Sequence, residues 1–329
     1  MNVFTRVAFA LGMPLLAQSQ PAGAYRISGP FTHDNLSIFL IHGANKTSRN
    51  FLTLEEAIDQ HKAVVYETRN VNELAIENLS DQDVFIESGD IVKGGAQDRT
   101  LKDDLILPSR SGKVSLNAFC VEHGRWTRRG NEALESFNGS HDAIASKQLK
   151  MAVRLKSNQS DVWSQVAQLQ ANISNNLRTS ARAAAAPTSL AMTMDAPVVQ
   201  RSIDGYLQEL AGIVNGKNDV IGYAFAINGK INTADVYYSH DLFAKLWMKL
   251  LRASSIEAVM NSNTGVTFEP ATTGAVKNTI EDAESGKTTT TDLTNRTQVV
   301  QKESAQNVMF ETRDRAQNGA WIHRNYMTK

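Results

Sequence analysis

The chain has 329 residues, 42% of them hydrophobic and 21% charged, with 34 basic side chains against 34 acidic ones. That length suffices for one large domain or two ordinary ones, and for burying most of the chain's surface without a covalent staple. The balanced charge lacks the basic footprint that a phosphate backbone demands, so nucleic acid is excluded as the expected partner.

Residues 1–24 carry the three regions of an export leader. Arg6 supplies the charge, residues 7–17 form a short apolar run broken by Gly12 and Pro14, and Ala22-Gly23-Ala24 has the small-x-small form of a cleavage site. The run falls short of the roughly 20 residues that a spanning helix needs. The expectation is a cleaved leader, no transmembrane span in the mature chain, and an exported protein, periplasmic or extracellular.

Residues 25–174 read as a β-rich domain. Runs at 36–41, 63–68, 73–78, 83–88, 101–107 and 114–122 are β-prone and separated by polar, Gly or Pro positions. Thr53 fits the N-cap of a helical pattern over 53–60. Residues 150–155 are expected to add a strand. Residues 161–173 are expected to form a helix capped by Asp161, with Val162, Val166, Leu169 and Ile173 on one face. Residues 175–197 are rich in Ala, Ser and Thr and contain Pro187 and Pro197, which predicts an exposed linker or mobile insertion.

Residues 198–329 read as an α/β half. It comprises a helix over 202–214, a hairpin of 220–227 and 230–238 turned at Asn228-Gly229, and a helix over 241–260. A Thr-rich tail follows, with short strands at 298–301, 308–312 and 321–326. The expected class is α+β: a strand-rich half, antiparallel sheet or barrel-like, followed by a helix–hairpin–helix half.

No Walker A loop, GxGxxG after a strand, HExxH, CxxC or GxSxG elbow is present. The seven histidines are scattered, so no metal site is expected from spacing. The single cysteine, Cys120, shares a period-two face with Val114, Leu116 and Ala118 and is expected to be a buried structural residue. Neither a cofactor nor an oligomeric state follows from the residues.

Two segments carry candidate chemistry. Gly89 to Thr100 reads Gly-Asp-Ile-Val-Lys-Gly-Gly-Ala-Gln-Asp-Arg-Thr. Gly94 and Gly95 allow a close backbone approach or an anion-binding nest. Lys93 and Arg99 are suited to a phosphate or carboxylate, and Gln97 and Asp98 to a hydroxyl or amide. The alternative is a tight turn fixed by an Asp98–Arg99 pair. The second segment, Phe-Cys-Val-Glu-His-Gly-Arg-Trp (119–126), is followed by Arg128 and Arg129. Glu122 continues the inward face of Cys120, and Arg125 with Trp126 offers a cation beside a flat apolar surface. The alternative there is a strand-end salt bridge and a core Trp.

These two segments resemble the ARPP family, the ARG and rhodanese-phosphatase superfamily-associated proteins. Thr53-Leu54-Glu55-Glu56-Ala57 and Trp163 with its flanking helix are similar as well, and the resemblance covers roughly residues 25–260. It implies nucleotide or ADP-ribose metabolism by genomic association and brings no reaction with it. Two functions follow as expectations. One is a site for an anionic small molecule, built from Lys93, Gly94, Gly95, Gln97, Asp98, Arg99, Arg125 and Trp126. Glu122 or Asp98 would be the general acid or base if a reaction is catalysed. The other is a non-enzymatic interaction or scaffold protein whose two motifs serve the fold.

Overall fold

The computed structural model describes residues 25–46, 49–262 and 267–329. The leader expected over residues 1–24 lies outside the described residues. The chain begins with strands β1 (Arg26–His33), β2 (Leu36–His42) and β3 (Leu52–Thr53), then helix α1 (Leu54–Asp59). Strands β4 (Ala63–Asn70), β5 (Glu73–Asn78), β6 (Val84–Ile86), β7 (Asp90–Gly94), β8 (Arg99–Leu101), β9 (Leu105–Leu107), β10 (Gly112–Cys120) and β11 (Ser136–Ile144) follow. Helices α2 (Lys147–Met151), α3 (Gln159–Leu177), α4 (Leu190–Met194) and α5 (Pro197–Leu210) come next. The remainder comprises β12 (Val220–Ile227), β13 (Lys230–Tyr237), α6 (His240–Met260), α7 (Thr273–Glu284), β14 (Lys287–Asp292), β15 (Thr297–Glu303), β16 (Asn307–Asp314) and β17 (Ala320–Thr328). The protein is α+β.

The strands form three systems. An antiparallel sheet runs β1-β2-β12-β13-β17-β16-β15-β14, a closed six-stranded barrel runs β10-β5-β4-β11-β7-β8, and a small sheet runs β3-β6-β9. The barrel-like expectation for the first half is therefore met, but the division at 175–197 is corrected. Strands β1 and β2 leave the strand-rich half as a pair, and β2 pairs with β12, so the large sheet joins early strands to late ones. Helix α5, the β12–β13 hairpin and α6 follow one another in the chain. The hairpin forms the middle of the large sheet rather than part of a separate helix–hairpin–helix half.

Both faces of that sheet are covered, which is why β2 and β12 are buried along their whole lengths. On one face α6 packs Phe243 and Trp247 against Tyr223, with ring centroids 6.4 and 5.7 Å apart. On the other face α7 accepts a 2.7 Å hydrogen bond at Glu284 from Tyr326. Tyr326 is in register with Ala234, one position out of phase with Asp235, so the two helices lie on opposite faces.

Local chemistry explains the elements that the sequence announced. Thr53 and Glu56 form a reciprocal capping box at α1, with Glu56 N donating to Thr53 Oγ1 at 3.2 Å and Thr53 N donating to Glu56 Oε2 at 2.9 Å. Asn228 and Gly229 both take positive φ, 50° and 74°, as a two-residue hairpin requires. Helix α3 starts earlier than its expected Asp161 cap. Asn158 is the cap and accepts from Asp161 N at 3.1 Å, leaving Asp161 as an acidic residue in the first turn.

Two expectations are corrected, and the strands expected in the tail at 298–301, 308–312 and 321–326 are present as β15, β16 and β17. Residues 150–155 are helical: α2 runs on into a π-helical turn, Ala152–Lys156. Lys150 and Arg154 are buried one turn apart, facing Glu87 and Asp103. Residues 175–197 are not an exposed linker. Ser189 caps α4, and Leu190, Ala191, Thr193 and Met194 are buried, with Gln170 of α3 donating to Thr193 Oγ1 at 2.8 Å. The Thr-rich tail supplies α7 and half of the large sheet, its polar threonines lying on the exposed edge strand β14.

The small sheet is bound to the large one by a square of charges. Arg296 bonds Asp314 at 2.7 Å and Asp83 at 2.7 Å, while Arg49 bonds Asp83 at 2.9 Å and also Asp314. Burial works against the Asp314 charge, but the hydrogen bond from Arg296 and the charges of Arg49 and Arg296 outweigh it, holding the carboxyl below its ordinary 3.8. A depressed folded-state pKa gives stability that is present above the unfolded value and lost as pH falls through the folded one. Denaturant titrations should therefore show stability dropping below about pH 4. The Asp314→Asn variant should be weaker at pH 7 and show a shallower acid limb.

Candidate functional site

The two motif segments meet at one end of the barrel. Strand β7 delivers Lys93 and Gly94, and the turn into β8 carries Gly95, Ala96, Gln97 and Asp98. Gly94 and Gly95 have φ of 123° and 51°. A Cβ on Gly95 would stand 2.2 Å from the Phe137 ring and 2.8 Å from Glu67 Oε2, so no side chain fits there. Strand β10 runs out through Cys120 to Glu122, whose inward direction follows from the period-two pattern.

Asp98 is fully buried and accepts from every side. Its Oδ1 takes Gly94 N at 3.0 Å and Arg129 Nη2 at 2.9 Å, and its Oδ2 takes Arg129 Nη1 at 2.9 Å and Ser189 Oγ at 2.6 Å. Glu122 Oε2 accepts from Asp98 N at 3.2 Å and Arg125 Nε at 2.8 Å. Arg125 then donates to the carbonyls of Gly95 and Gly94 at 2.9 and 3.0 Å. Burial works against the Arg129 charge, but its bonds to Asp98 and Glu132 more than offset it, so the guanidinium stays charged. Asp98, Glu122, Arg125 and Arg129 thus close an ion network upon themselves. Their donors and acceptors hold the glycine turn in place.

The other expected residues divide. Arg99 is wholly buried, donating to Gln97 O at 2.6 Å and lying 3.5 Å from Glu67, rather than pairing with Asp98. The Gln97 amide is buried with neither atom hydrogen-bonded. Lys93 points away to Asp195 on the loop after α4. Trp126 is not a core residue: it is 50% exposed. It forms one wall of a cavity of about 500 Å³ with Glu67, Thr68, Arg69, Ala96, Leu134 and Glu135. Glu67 is the hinge between network and cavity, since it also accepts from Ala96 N at 2.9 Å and Arg69 N at 2.8 Å. Neither Asp98 nor Glu122 lines the cavity.

Cys120 is fully buried, and its Sγ lies 3.7 Å from Val71 O. Burial pushes the thiol up to about 11, against the pull of Arg99. Iodoacetamide at pH 8 should leave the native protein unmodified over a time that fully alkylates the urea-unfolded chain, because the thiolate is the reactive species. Rapid native alkylation read by mass spectrometry contradicts the structural role.

A second polar group was invisible to spacing because its members come from opposite ends of the chain. Glu87 follows β6, Asp104 precedes β9, Asp235 lies on β13, and His323 lies on β17. His323 Nδ1 is 2.8 Å from Asp104 Oδ2, and its Nε2 is 3.3 Å from Asp235 Oδ1. Asn325 Nδ2 donates to Asp235 Oδ1 at 2.6 Å, and Thr312 donates to Asp104 Oδ2 at 2.6 Å. Burial pushes Glu87 up to about 7, although Lys150 and His323 pull the other way. Burial also opposes a charged His323, yet Asp104 and Asp235 prevail and hold its proton up to about 10.

No curated protein and no solved structure matches the chain. A family model described as the ARG and Rhodanese-Phosphatase-superfamily-associated Protein domain matches residues 24–327, which takes in the Thr-rich tail as well as the two motif segments. The match spans nearly every described residue, and the chain therefore belongs to the ARPP-1 family.

Proposed function

We propose that this chain binds an anionic small molecule, a nucleotide-like or ADP-ribose-like compound, in the cavity beside Trp126. The observation that carries this reading is the half-exposed Trp126 ring standing over a cavity of about 500 Å³, a volume in the range of small-ligand sites. An indole face stacks on a base or the apolar face of a sugar. Glu67 and Glu135 accept from hydroxyls, and Arg69 is the cation at the cavity that would hold a phosphate. Arg69 takes a left-handed φ of 65°, an uncommon conformation for a residue with a side chain. The closed ion network behind the turn is the rigid wall of this site rather than its donor set. On this reading Arg99 and Arg125 support the ligand indirectly, through Glu67 and the glycine turn.

Calorimetric and thermal-shift titration with ADP-ribose, nucleotides and sugar phosphates tests the proposal. A ligand at a hundred times its Kd should stabilise the wild type by about 2.7 kcal/mol. Trp126→Ala and Arg69→Ala, both at exposed positions, should fold normally and lose that gain. A second reading, a non-enzymatic scaffold, is favoured by the saturation of Asp98 and Glu122, which leaves neither an obvious acid–base role. It gains if none of these compounds binds the folded wild type. We further propose export, on the leader pattern of residues 1–24. Mass spectrometry of the natively produced protein should find an N-terminus between residues 18 and 25, and an intact Met1 in a cytosolic fraction contradicts it.

A further inference from the structure

Where the small sheet meets the large one, a buried histidine stands between carboxylates from three parts of the chain. Suitable ligand atoms of Glu87, Asp235 and His323 all lie within 4.8 Å of one another, and each residue is at most 1% exposed. Both oxygens of Glu87 lack a hydrogen-bond donor, with Lys150 Nζ no nearer than 3.8 Å. Two further polar atoms in the same place are orphaned. Asn325 Oδ1 has no donor although its amide nitrogen holds Asp235, and the Tyr237 hydroxyl has no partner although its ring stacks on His323 at 4.4 Å. Buried polar atoms left so cost free energy unless something satisfies them.

The arrangement has the parts of a metal centre. His323 presents Nε2 inward while Nδ1 engages Asp104, the carboxylate–histidine pairing that fixes the ring of a metal ligand. A tetrahedral ion with bonds of about 2.0–2.1 Å holds neighbouring ligand atoms about 3.3 Å apart. Nε2 and Asp235 Oδ1 are separated by 3.3 Å, a hydrogen bond in the metal-free protein, and an ion binding here would take the place of the Nε2 proton and release it. Asp235 is itself oriented by Asn325, and Asp104 by Thr312, so the outer groups are fixed as well. A cavity of about 20 Å³, room for one water, borders Asp235 between Lys150, Thr233 and Ser254. Of Glu87, Asp235 and His323, Asp235 alone lines that space, so a solvent molecule there would reach an ion from the Asp235 side.

We propose that Glu87, Asp235 and His323 bind one first-row divalent cation, with Asp104 and Asn325 as their orienting partners. One imidazole and two carboxylates suit Zn²⁺ or Mn²⁺ better than a soft ion. This site lies apart from the Trp126 cavity and does not depend on it.

Elemental analysis of the purified full-length protein, before and after dialysis against dipicolinate, tests the inference. The expected result is about one equivalent of metal per chain, lost on dialysis, with the melting temperature falling and then recovering on addition of Zn²⁺ or Mn²⁺. Glu87→Gln and Asp235→Asn keep the side-chain shapes and should each abolish that recovery. Asp104→Asn, which touches no ion, should weaken metal affinity about 10- to 100-fold. If the ligand variants fail to fold, the wild-type titration and Asp104→Asn still decide. A folded wild type that carries no metal and does not respond to Zn²⁺ or Mn²⁺ overturns the site, as do folded variants that bind metal like the wild type. Trp126→Ala should retain its metal, so failure of the ligand-binding proposal leaves this result standing.

Discussion

Alanine at Asp98 is expected to lower the unfolding free energy by about 3–5 kcal/mol, the cost of removing one partner from a buried ion network. The carboxylate is fully buried and holds Arg129 through two bonds, Ser189 through one and the Gly94 amide through another. Without it, Arg125 and Arg129 are left to share Glu122, which Arg129 reaches only at 3.4 Å, with Glu132 as the other carboxylate on Arg129. Ser189 also loses its acceptor, which frees the start of α4. Urea denaturation with an unchanged m-value would report this as a lower midpoint. A loss below 1 kcal/mol would instead mean that Asp98 is dispensable to the fold and was placed for a ligand.

The other large effect is expected at Phe85. Its side chain is buried in β6 and meets three rings edge-on: Phe51 at 6.3 Å, Tyr237 at 6.4 Å and His323 at 5.9 Å. Phe51 belongs to the segment leading into the small sheet, while Tyr237 and His323 belong to the large one, so Phe85 joins the two sheets. Phe85→Ala should cost about 3–5 kcal/mol, combining lost apolar transfer with the cavity left behind. The damage should also spread beyond stability, because the cavity would open beside His323. A metal titration of Phe85→Ala should therefore show weaker binding, whereas Phe39→Ala, in the core of β2, should lose stability alone.

What could be read from the chain was mostly local. Thr53 as an N-cap, Asn228 with Gly229, and the alternation from Val114 to Cys120 each act within a few residues, and each reappears in the structure. The inward aim of Glu122 was legible for the same reason. Trp126 looked like either a platform or a core ring, and only the fold shows it half-exposed. Buried charge was the main source of error. Lys150 and Arg154 are polar in sequence and interior in space, because Glu87 and Asp103 arrive from elsewhere to receive them. The same limit hid Asp104, Asp235 and His323, whose separations in the chain carry no periodic signal. The Ala- and Ser-rich stretch before Pro197 was misjudged because small residues also suit close packing, as Ala181, Ala186 and Ala191 do.

The placement of β2 beside β12 has a consequence for how the molecule is made. During synthesis β2 leaves the ribosome long before its neighbour at Val220–Ile227, and β13 must in turn wait for β17, which ends at Thr328. The central sheet therefore depends on contacts of very high sequence separation, and such topologies fold slowly because the chain must close long loops before it gains from pairing. The barrel, by contrast, can close once residue 144 has emerged. A nascent chain would carry a finished barrel behind a strand pair whose buried-to-be β2 edge is still open, so that truncations before residue 220 should yield aggregating fragments through β2 rather than a smaller soluble domain.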